Sequence, residues 1–381
     1  MQFVAKTLAG LEEVLEKEII DLGGQNITPL KRAVQFEGDL ELLYRANYEL
    51  RTAVRILRPI AKFTIKNEQE LYDSIQTINW EDYMTVRDTL AIDGAVSSPY
   101  FNHSKYIAQK TKDAIVDQFR SKIGRRPDVD ITNPHLRINV HIWEDECTVS
   151  LDSSGDSLHK RKYRLEQTTA PLSEVLAAGM IKLTGWNADS DFVDPMCGSG
   201  TILIEAAMMA YNIPPQLVRK DFGFMNWPDF DARLWRQVKQ DARKRQRAFK
   251  HKILGFDLDP EAIKVTRINL KEVHLDTRVT VSQRDFAELE LEEKNGGVLV
   301  INPPYGERLE EENINELYSM IGDRLKQAFS GFDAWIISSN YQAFKNIGLR
   351  TSRKIPLFNG SLECRFQKYE LYQGSRKKKF N

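Results

Sequence analysis

Apolar positions recur along this chain with two different periods, and their alternation divides it into two textures. Near the N-terminus Phe3–Leu8 is an extended apolar run; Leu11, Val14, Leu15, Ile19 and Leu22 then follow the three-and-four spacing of an amphipathic helix. Gly23-Gly24 stops that helix, because glycine takes the left-handed backbone of a helix C-terminus at little cost. A strand at 33–36 and a helix at 40–50 complete a small α+β unit over residues 1–60. The style continues over 61–155, with a helix at 68–78, a strand at 90–96 and a long basic helix at 104–123 that stops at Gly124. Two strands at 136–143 and 147–151 follow. Residues 152–164, rich in Ser, Gly and basic side chains, predict a linker.

From residue 165 to 381 the texture becomes strand-then-helix. Strands are predicted at 191–194, 253–257, 279–282, 298–302 and 334–338, and helices at 201–211, 261–274 and 314–329. Such alternation predicts a mostly parallel sheet covered by helices on both faces. The end differs: two strand-like runs flank Asn359-Gly360, a pair that favours the positive φ of a hairpin turn. A charged segment at 213–251, opened by Pro214-Pro215 and carrying Trp227 and Trp235, interrupts the pattern. It is predicted as loop plus helix and carries no functional assignment.

Length and charge narrow the picture only slightly. A chain of 381 residues predicts two or three domains. Fifty-four Lys and Arg balance fifty-four Asp and Glu, which argues against indiscriminate polyanion binding but permits local basic strips. Residues 100–126 hold seven Lys or Arg against two Asp, residues 159–164 add four more cations, and 376–379 is a basic tail. No run approaches the roughly 20 apolar residues of a membrane span. The N-terminus lacks the layout of a signal peptide, and three widely spaced cysteines form neither a disulfide framework nor a metal knuckle. A cytoplasmic protein without a metal is expected.

The chemistry concentrates at the predicted strand ends. Asp194-Pro195-Met196-Cys197-Gly198-Ser199-Gly200-Thr201 follows the 191–194 strand. Gly198 and Gly200 permit a tight turn and close approach of a ligand, and Thr201 opens a helix whose amides favour anionic groups. The P-loop Lys is absent, and Leu203 stands where a dinucleotide fingerprint wants a small residue. On the next strand Asp257 is placed to accept from ribose hydroxyls, whereas Asp259 before Pro260 is better explained as a helix cap. Asp285 is placed to accept from an adenine amino group, with a plain loop acid as the alternative.

Asn302-Pro303-Pro304-Tyr305 is the second motif. Two prolines fix the backbone and remove two N–H donors, leaving the Asn302 side chain and carbonyls as acceptors. Accepting both hydrogens of a planar NH2 group, at Asn302 Oδ1 and the Pro303 carbonyl, holds the nitrogen for attack on an electrophile. Tyr305 offers a stacking face worth about 1–3 kcal/mol per base. The bland alternative is a rigid turn with an incidental Asn. Together the motifs point to S-adenosylmethionine as cofactor and an exocyclic amine as acceptor.

These residues resemble the THUMP-containing RNA guanine-N2 methyltransferases of the ribosomal large subunit, the RlmL type. Arg125-Arg126-Pro127-Asp128-Val129-Asp130, Leu151-Asp152-Ser153-Ser154-Gly155 and Ser157-Leu158-His159-Lys160-Arg161 are similar to the THUMP domain and its exit. Ala170-Pro171-Leu172-Ser173-Glu174 resembles the segment that closes over the cofactor, and 194–201 and 302–309 resemble the cofactor and catalytic motifs. Lys162 departs from the family, which usually has Gly there. The resemblance implies an α/β fold: a class I (Rossmann-like) methyltransferase domain with a mostly parallel sheet and a C-terminal antiparallel hairpin, preceded by ferredoxin-like and THUMP domains.

It further implies methyl transfer to a guanine N2 in RNA, 23S rRNA or a ribosome assembly precursor. Asn302, Pro303 and Tyr305 would be catalytic. Asp194, Met196, Cys197, Gly198, Gly200, Thr201, Asp257 and Asp285 would bind cofactor. Lys105, Lys110, Lys112, Arg125, Arg126, Lys160 and Arg161 would bind RNA. N6-adenine methylation of RNA or DNA fits the same motif, and a catalytically silent RNA-binding protein is the alternative from another class.

Overall fold

A computed structural model describes residues 1–166, 172–291, 296–304 and 311–372. Tyr305, Ala170, Pro171, the rest of the motif over 305–309 and the basic tail lie outside the described residues. The chain forms two compact units, and neither is continuous in sequence. The first comprises Met1–Thr7, Leu15–Lys160 and Arg219–Asp241; the second comprises Leu8–Val14, Arg161–Val218 and the chain from Ala242 onward.

The first unit is built on one eight-stranded sheet. Its strands are β1 (Gln2–Lys6), β2 (Gln25–Leu30), β3 (Ala33–Glu37), β4 (Arg55–Thr64), β5 (Thr89–Ser97), β6 (Asp128–Val129), β7 (Leu136–Trp143) and β8 (Glu146–Asp152), in the order β2-β3-β1-β4-β8-β7-β5-β6. The strand β4 runs through the join expected at residue 60, pairing antiparallel with β1 on one side and β8 on the other. Helices α1 (Glu12–Leu22), α2 (Leu40–Glu49), α3 (Glu68–Gln76) and α4 (Ser104–Ile123) belong to the same stretch of chain.

The expected linker is instead packed. Asp152, Ser153, Ser154 and Leu158 are buried. Ser154 Oγ donates to Asn47 Oδ1 at 2.7 Å, Ser153 Oγ donates to the Ile56 carbonyl at 2.7 Å, and Arg55 pairs with Asp152. Short hydroxyls satisfy backbone groups here, so a Ser-rich composition marks a polar network and not a solvated tether.

Residues Arg219–Asp241 of the interrupting segment belong to this unit. Tyr44 and Tyr48 on α2 meet Trp235 edge-on, with ring centroids at 6.0 and 5.3 Å, and Phe222, Phe224 and Phe230 extend the cluster. Arg219 donates to the carbonyls of Ser154, Asp156 and Ser157, and Arg58 lies 4.2 Å over the Trp227 ring. The tryptophans are therefore structural anchors. The helix α7 (Ala232–Lys244) starts where Asp231 Oδ1 accepts from the Arg233 and Leu234 amides, which also hold that carboxyl below its ordinary range.

The second unit carries a seven-stranded sheet: β9 (Asp191–Asp194), β10 (Ile253–Asp257), β11 (Thr280–Gln283), β12 (Gly297–Ile301), β13 (Phe332–Ser338), β14 (Arg353–Asn359) and β15 (Leu362–Glu370). The order is β11-β10-β9-β12-β13-β15-β14, with β15 antiparallel to both of its neighbours and the other pairings parallel. The expected parallel sheet with a terminal hairpin is present. Asn359 ends β14 opposite Leu362, and Gly360 at φ +65° opens the turn, so the loop begins one residue later than expected. On one face α9 (Glu311–Ala328) buries Ile314, Tyr318, Ile321 and Leu325 against the sheet. The helices α5 (Glu174–Thr184), α6 (Thr201–Ala210) and α8 (Pro260–Glu272) complete the unit. Gly179 of α5 admits Leu11, whose Cδ1 stands 2.5 Å from where a Cβ would be. Among the described residues no helix is long and apolar enough to cross a membrane.

One expected RNA contact is corrected. Arg161 is fully buried, paired with the equally buried Glu205 at 3.4 Å, and Tyr163 Oη donates to the same oxygen at 3.1 Å. A guanidinium enclosed this way cannot meet phosphate. Neighbouring Lys162 has φ +69°, so a lysine holds a left-handed turn here, at about 1–2 kcal/mol. Removing one partner of a buried pair costs about 3–5 kcal/mol. Arg161→Ala should therefore lower the unfolding midpoint sharply and leave RNA affinity of the still-folded protein, measured well below that midpoint, unchanged.

Candidate functional site

The order of β9, β10 and β12 creates the opening. Outward from β9, the chain continues to β10 on one side and to β12 on the other, and such a reversal leaves a crevice at the carboxyl ends of the strands. A cavity of about 330 Å³ lies there. Its walls bring together Asp194, Met196, Cys197, Gly198 and Thr201 from the first motif, Asp257 and Asp285 from the next two strand ends, and Asn302 from the last. Gly200 stands behind the wall: at φ +80° a Cβ would come within 2.7 Å of Thr266 Cγ2. Pro304 lines the cavity, Pro303 is buried beside it, and Tyr305 lies outside the described residues.

Asp257 organises the glycine turn. Its Oδ2 accepts from the Gly198 amide at 2.8 Å and its Oδ1 from the Asp259 amide at 3.0 Å. Each oxygen retains a further lone pair for a ligand hydroxyl. Asp259 Oδ1 accepts from Glu261 N at 2.9 Å ahead of Pro260, the cap expected of it. Thr266 Oγ1 donates to the Gly198 carbonyl at 2.7 Å, and Asn269 Nδ2 to the Ser199 carbonyl at 3.0 Å. The turn is thus held from outside at three points. Asp285 lines the cavity while Oδ1 caps a short helical turn through Ala287 N at 2.8 Å.

Two acceptors in the cavity wall have no hydrogen-bond partner among the described residues: Asp194 Oδ2 and Asn302 Oδ1, both buried. Such atoms are costly, about 1–3 kcal/mol each, and call for a ligand donor. Asp194 is 1 % exposed, and burial pushes its carboxyl well above the ordinary range, with the charge of Asp257 adding to the shift. The same burial and the two nearby acids raise the Cys197 thiol. A cation placed between Asp194 and Asp257 would offset the repulsion of the two carboxylates.

Several wall residues escaped the motif reading. Ile202, Phe286, Leu317 and Met320 are apolar, and Leu258 is 63 % exposed although it borders the cavity; Leu172, from the segment likened to one that closes over the cofactor, lines it as well. An exposed leucine directly after the strand-end Asp was the available signal. Arg164 was missed as well: one Nη2 donates to Thr201 Oγ1 at 2.9 Å and to the Leu172 carbonyl at 2.8 Å, tying two walls together.

The surface assigned to RNA is mixed. Arg125 and Arg126 are exposed after the Gly124 stop of α4, and Lys105 and Lys160 are exposed too. Lys112 faces Asp113 at 2.5 Å, and Lys110 lies 4.9 Å over the Tyr72 ring.

Comparison with known proteins gives this geometry its setting. Residues 161–368 match the model of the RMKL-like methyltransferase domain, 65–152 the THUMP domain and 2–57 the RlmL ferredoxin-like domain. A candidate RNA methyltransferase of Synechocystis sp. is 40 % identical over 97 % of both chains. The ribosomal RNA large subunit methyltransferase K/L of Syntrophotalea carbinolica is 37 % identical over 97 % of this chain and 54 % of its own. The chain thus spans about half the length of such K/L relatives. The crystal structure of SMU.472, a candidate methyltransferase complexed with S-adenosylhomocysteine, superposes with TM-score 0.87 at 30 % identity, covering 98 % of this chain and 99 % of that one.

S-adenosylmethionine is the cofactor, and the cavity's donor set fits it. The orphaned Asp194 oxygen suits an ammonium group, the free lone pairs of Asp257 suit hydroxyls, and the apolar side chains suit a flat heterocycle. A testable consequence follows from Asp194. Its folded-state pKa is raised, so the unfolded chain ionises first, and stability falls as pH rises above the ordinary carboxylate value of about 3.9. Asp194→Asn should raise the melting temperature of the cofactor-free protein at neutral pH, a gain that vanishes on acidification below that value. Affinity for S-adenosylhomocysteine by calorimetry should fall about 10–100-fold, as for a lost charged hydrogen bond.

Proposed function

Because the chain belongs to the RMKL-like methyltransferase family, we propose that it methylates the exocyclic N2 amine of a guanine in RNA, 23S rRNA being the substrate. The observation that carries this reading is Asn302 Oδ1, buried in the cavity wall with no partner among the described residues. An acceptor held dry beside a cofactor cavity suits an N–H donor and not a hydroxylate or a thiolate. The names of the K/L relatives supply the RNA class.

When bound, S-adenosylmethionine supplies a methyl group on a positively charged sulfur. The chain's own residues do the rest by placement. Asn302 Oδ1 and the Pro303 carbonyl accept the two amine hydrogens, orienting the nitrogen lone pair, and the two prolines keep both acceptors rigid. Tyr305 is assigned the stacking face for the base. Asp194, Met196, Cys197, Gly198, Gly200, Thr201, Asp257 and Asp285 are assigned to the cofactor. The target guanine must leave its stack to reach the cavity. Residues 61–155 with the basic exit segment capture RNA in this reading, Lys105, Lys110, Lys112, Arg125, Arg126 and Lys160 meeting phosphates; 1–60 is the ferredoxin-like unit and 165–381 the catalytic domain.

Asn302→Ala should abolish methyl transfer to 23S rRNA transcripts, scored by nucleoside mass spectrometry for N2-methylguanosine, while affinity for S-adenosylhomocysteine stays within about threefold, on the order of 0.6 kcal/mol. Loss of both together would assign Asn302 to the cofactor instead. Replacing Arg125 and Arg126 by Glu should weaken RNA binding and flatten its salt dependence without altering cofactor affinity. Identical slopes for wild type and double variant would remove this segment from the RNA surface.

A further inference from the structure

The interrupting segment ends in a run that no motif above uses: Arg243-Lys244-Arg245-Gln246-Arg247-Ala248-Phe249-Lys250-His251-Lys252, with six Lys or Arg and no acid. All of these side chains are exposed except Phe249, which is half-buried. We propose that this run is a phosphate-binding strip for RNA flanking the target nucleotide, an inference that rests on the RNA methyltransferase reading above.

The run is fixed in place by its backbone and by one ring. The Arg247 amide donates to the Tyr211 carbonyl at 3.1 Å, and Arg247 Nε donates to the Ala210 carbonyl at 2.9 Å. Asn212 Nδ2 donates to the Arg245 carbonyl at 2.8 Å, and the Lys252 amide donates to Asp191 Oδ1 at 2.9 Å. Phe249 packs edge-on to Trp186 and Tyr211, with centroids at 6.0 and 5.8 Å. Arg278 lies 4.7 Å over the other partner, Tyr211, and brings a further cation to the patch. An ordered backbone with outward cations loses less entropy on meeting a polyanion than a floppy basic tail.

The 243–252 run carries no carboxylate of its own, although acids equal bases over the whole chain; Asp191 meets its end, facing the His251 ring at 3.9 Å and accepting from the Lys252 amide. Concentrated positive charge of this kind attracts phosphates through counterion release. Position sets its role. The run leads into the start of β10, whose far end carries Asp257 in the cavity wall. Five strand residues at about 3.3 Å each set the end of the run about 16 Å from Asp257. It therefore holds neighbouring RNA and leaves the target base to the cavity.

The test compares Arg243→Gln, Lys244→Gln and Lys250→Gln combined with a charge-matched control, Lys345→Gln, Arg353→Gln and Lys354→Gln, all six positions being exposed. Affinity for a 23S rRNA transcript is measured from low to moderate salt, together with steady-state methylation. The strip variant should lose about two to three from the slope of log affinity against log salt, and its KM for RNA should rise at least tenfold with kcat at saturating RNA unchanged. The control should match wild type. Arg243→Lys, Lys244→Arg and Lys250→Arg combined keep the charge and should restore the slope. An unchanged slope in the strip variant, equal loss in the control, or failure of the charge-conserving variant overturns the strip. Wild type without salt-dependent RNA affinity would sink the RNA reading together with the strip, whereas a normal wild type beside an unaffected strip variant sinks the strip alone.

Discussion

The cavity depends on a carboxylate that serves the backbone before it serves any ligand. Asp257 accepts from the Gly198 amide across the gap between two strand ends and from the Asp259 amide in its own loop. A glycine turn has little conformational preference of its own. These bonds, with Thr266 and Asn269 gripping the carbonyls behind it, select one conformation. The close approach of Gly200 to Thr266 then leaves no room for a side chain. In the proposed reading the same carboxylate also meets the cofactor, so a change at Asp257 would reach the turn and the ligand together.

Against that rigid turn stand two atoms that find no hydrogen-bond partner among the described residues, Asp194 Oδ2 and Asn302 Oδ1. They sit at the ends of adjacent strands, one facing a site suited to positive charge and the other a site suited to an amine. A fold that buries polar atoms unpaired is less stable for it. The division is chemically sensible: the carboxyl is assigned to the cationic guest, and the amide to the amine.

Much of this was legible in the sequence because strand ends announce themselves. A β-branched run followed by Asp, Gly or Asn-Pro fixes where a parallel strand stops, and stopping points are where the cavity forms. Helix α5 was not legible, since Glu174–Ile181 is buried on every side and shows no amphipathic period. Lys160 and Arg161 are neighbours of like charge with opposite fates, one exposed and one enclosed by Glu205. Composition reports charge but not burial. The aromatic residues between 222 and 235 gave no sign of their partners, because those partners lie near residues 44–48.

That long separation has a consequence for the order in which the protein is made. All eight strands of the first unit have been synthesised by Asp152, yet Tyr44 and Tyr48 gain their aromatic cover only when Phe222–Trp235 emerge. The intervening stretch is about seventy residues, and at about 5–20 residues per second the ribosome needs roughly 4–14 seconds to cross it. Throughout that interval Tyr44 and Tyr48 of helix α2 lack their aromatic partners. The nascent chain passes through a dated window of exposed apolar surface, closed by the ribosome's progress and not by the speed of folding.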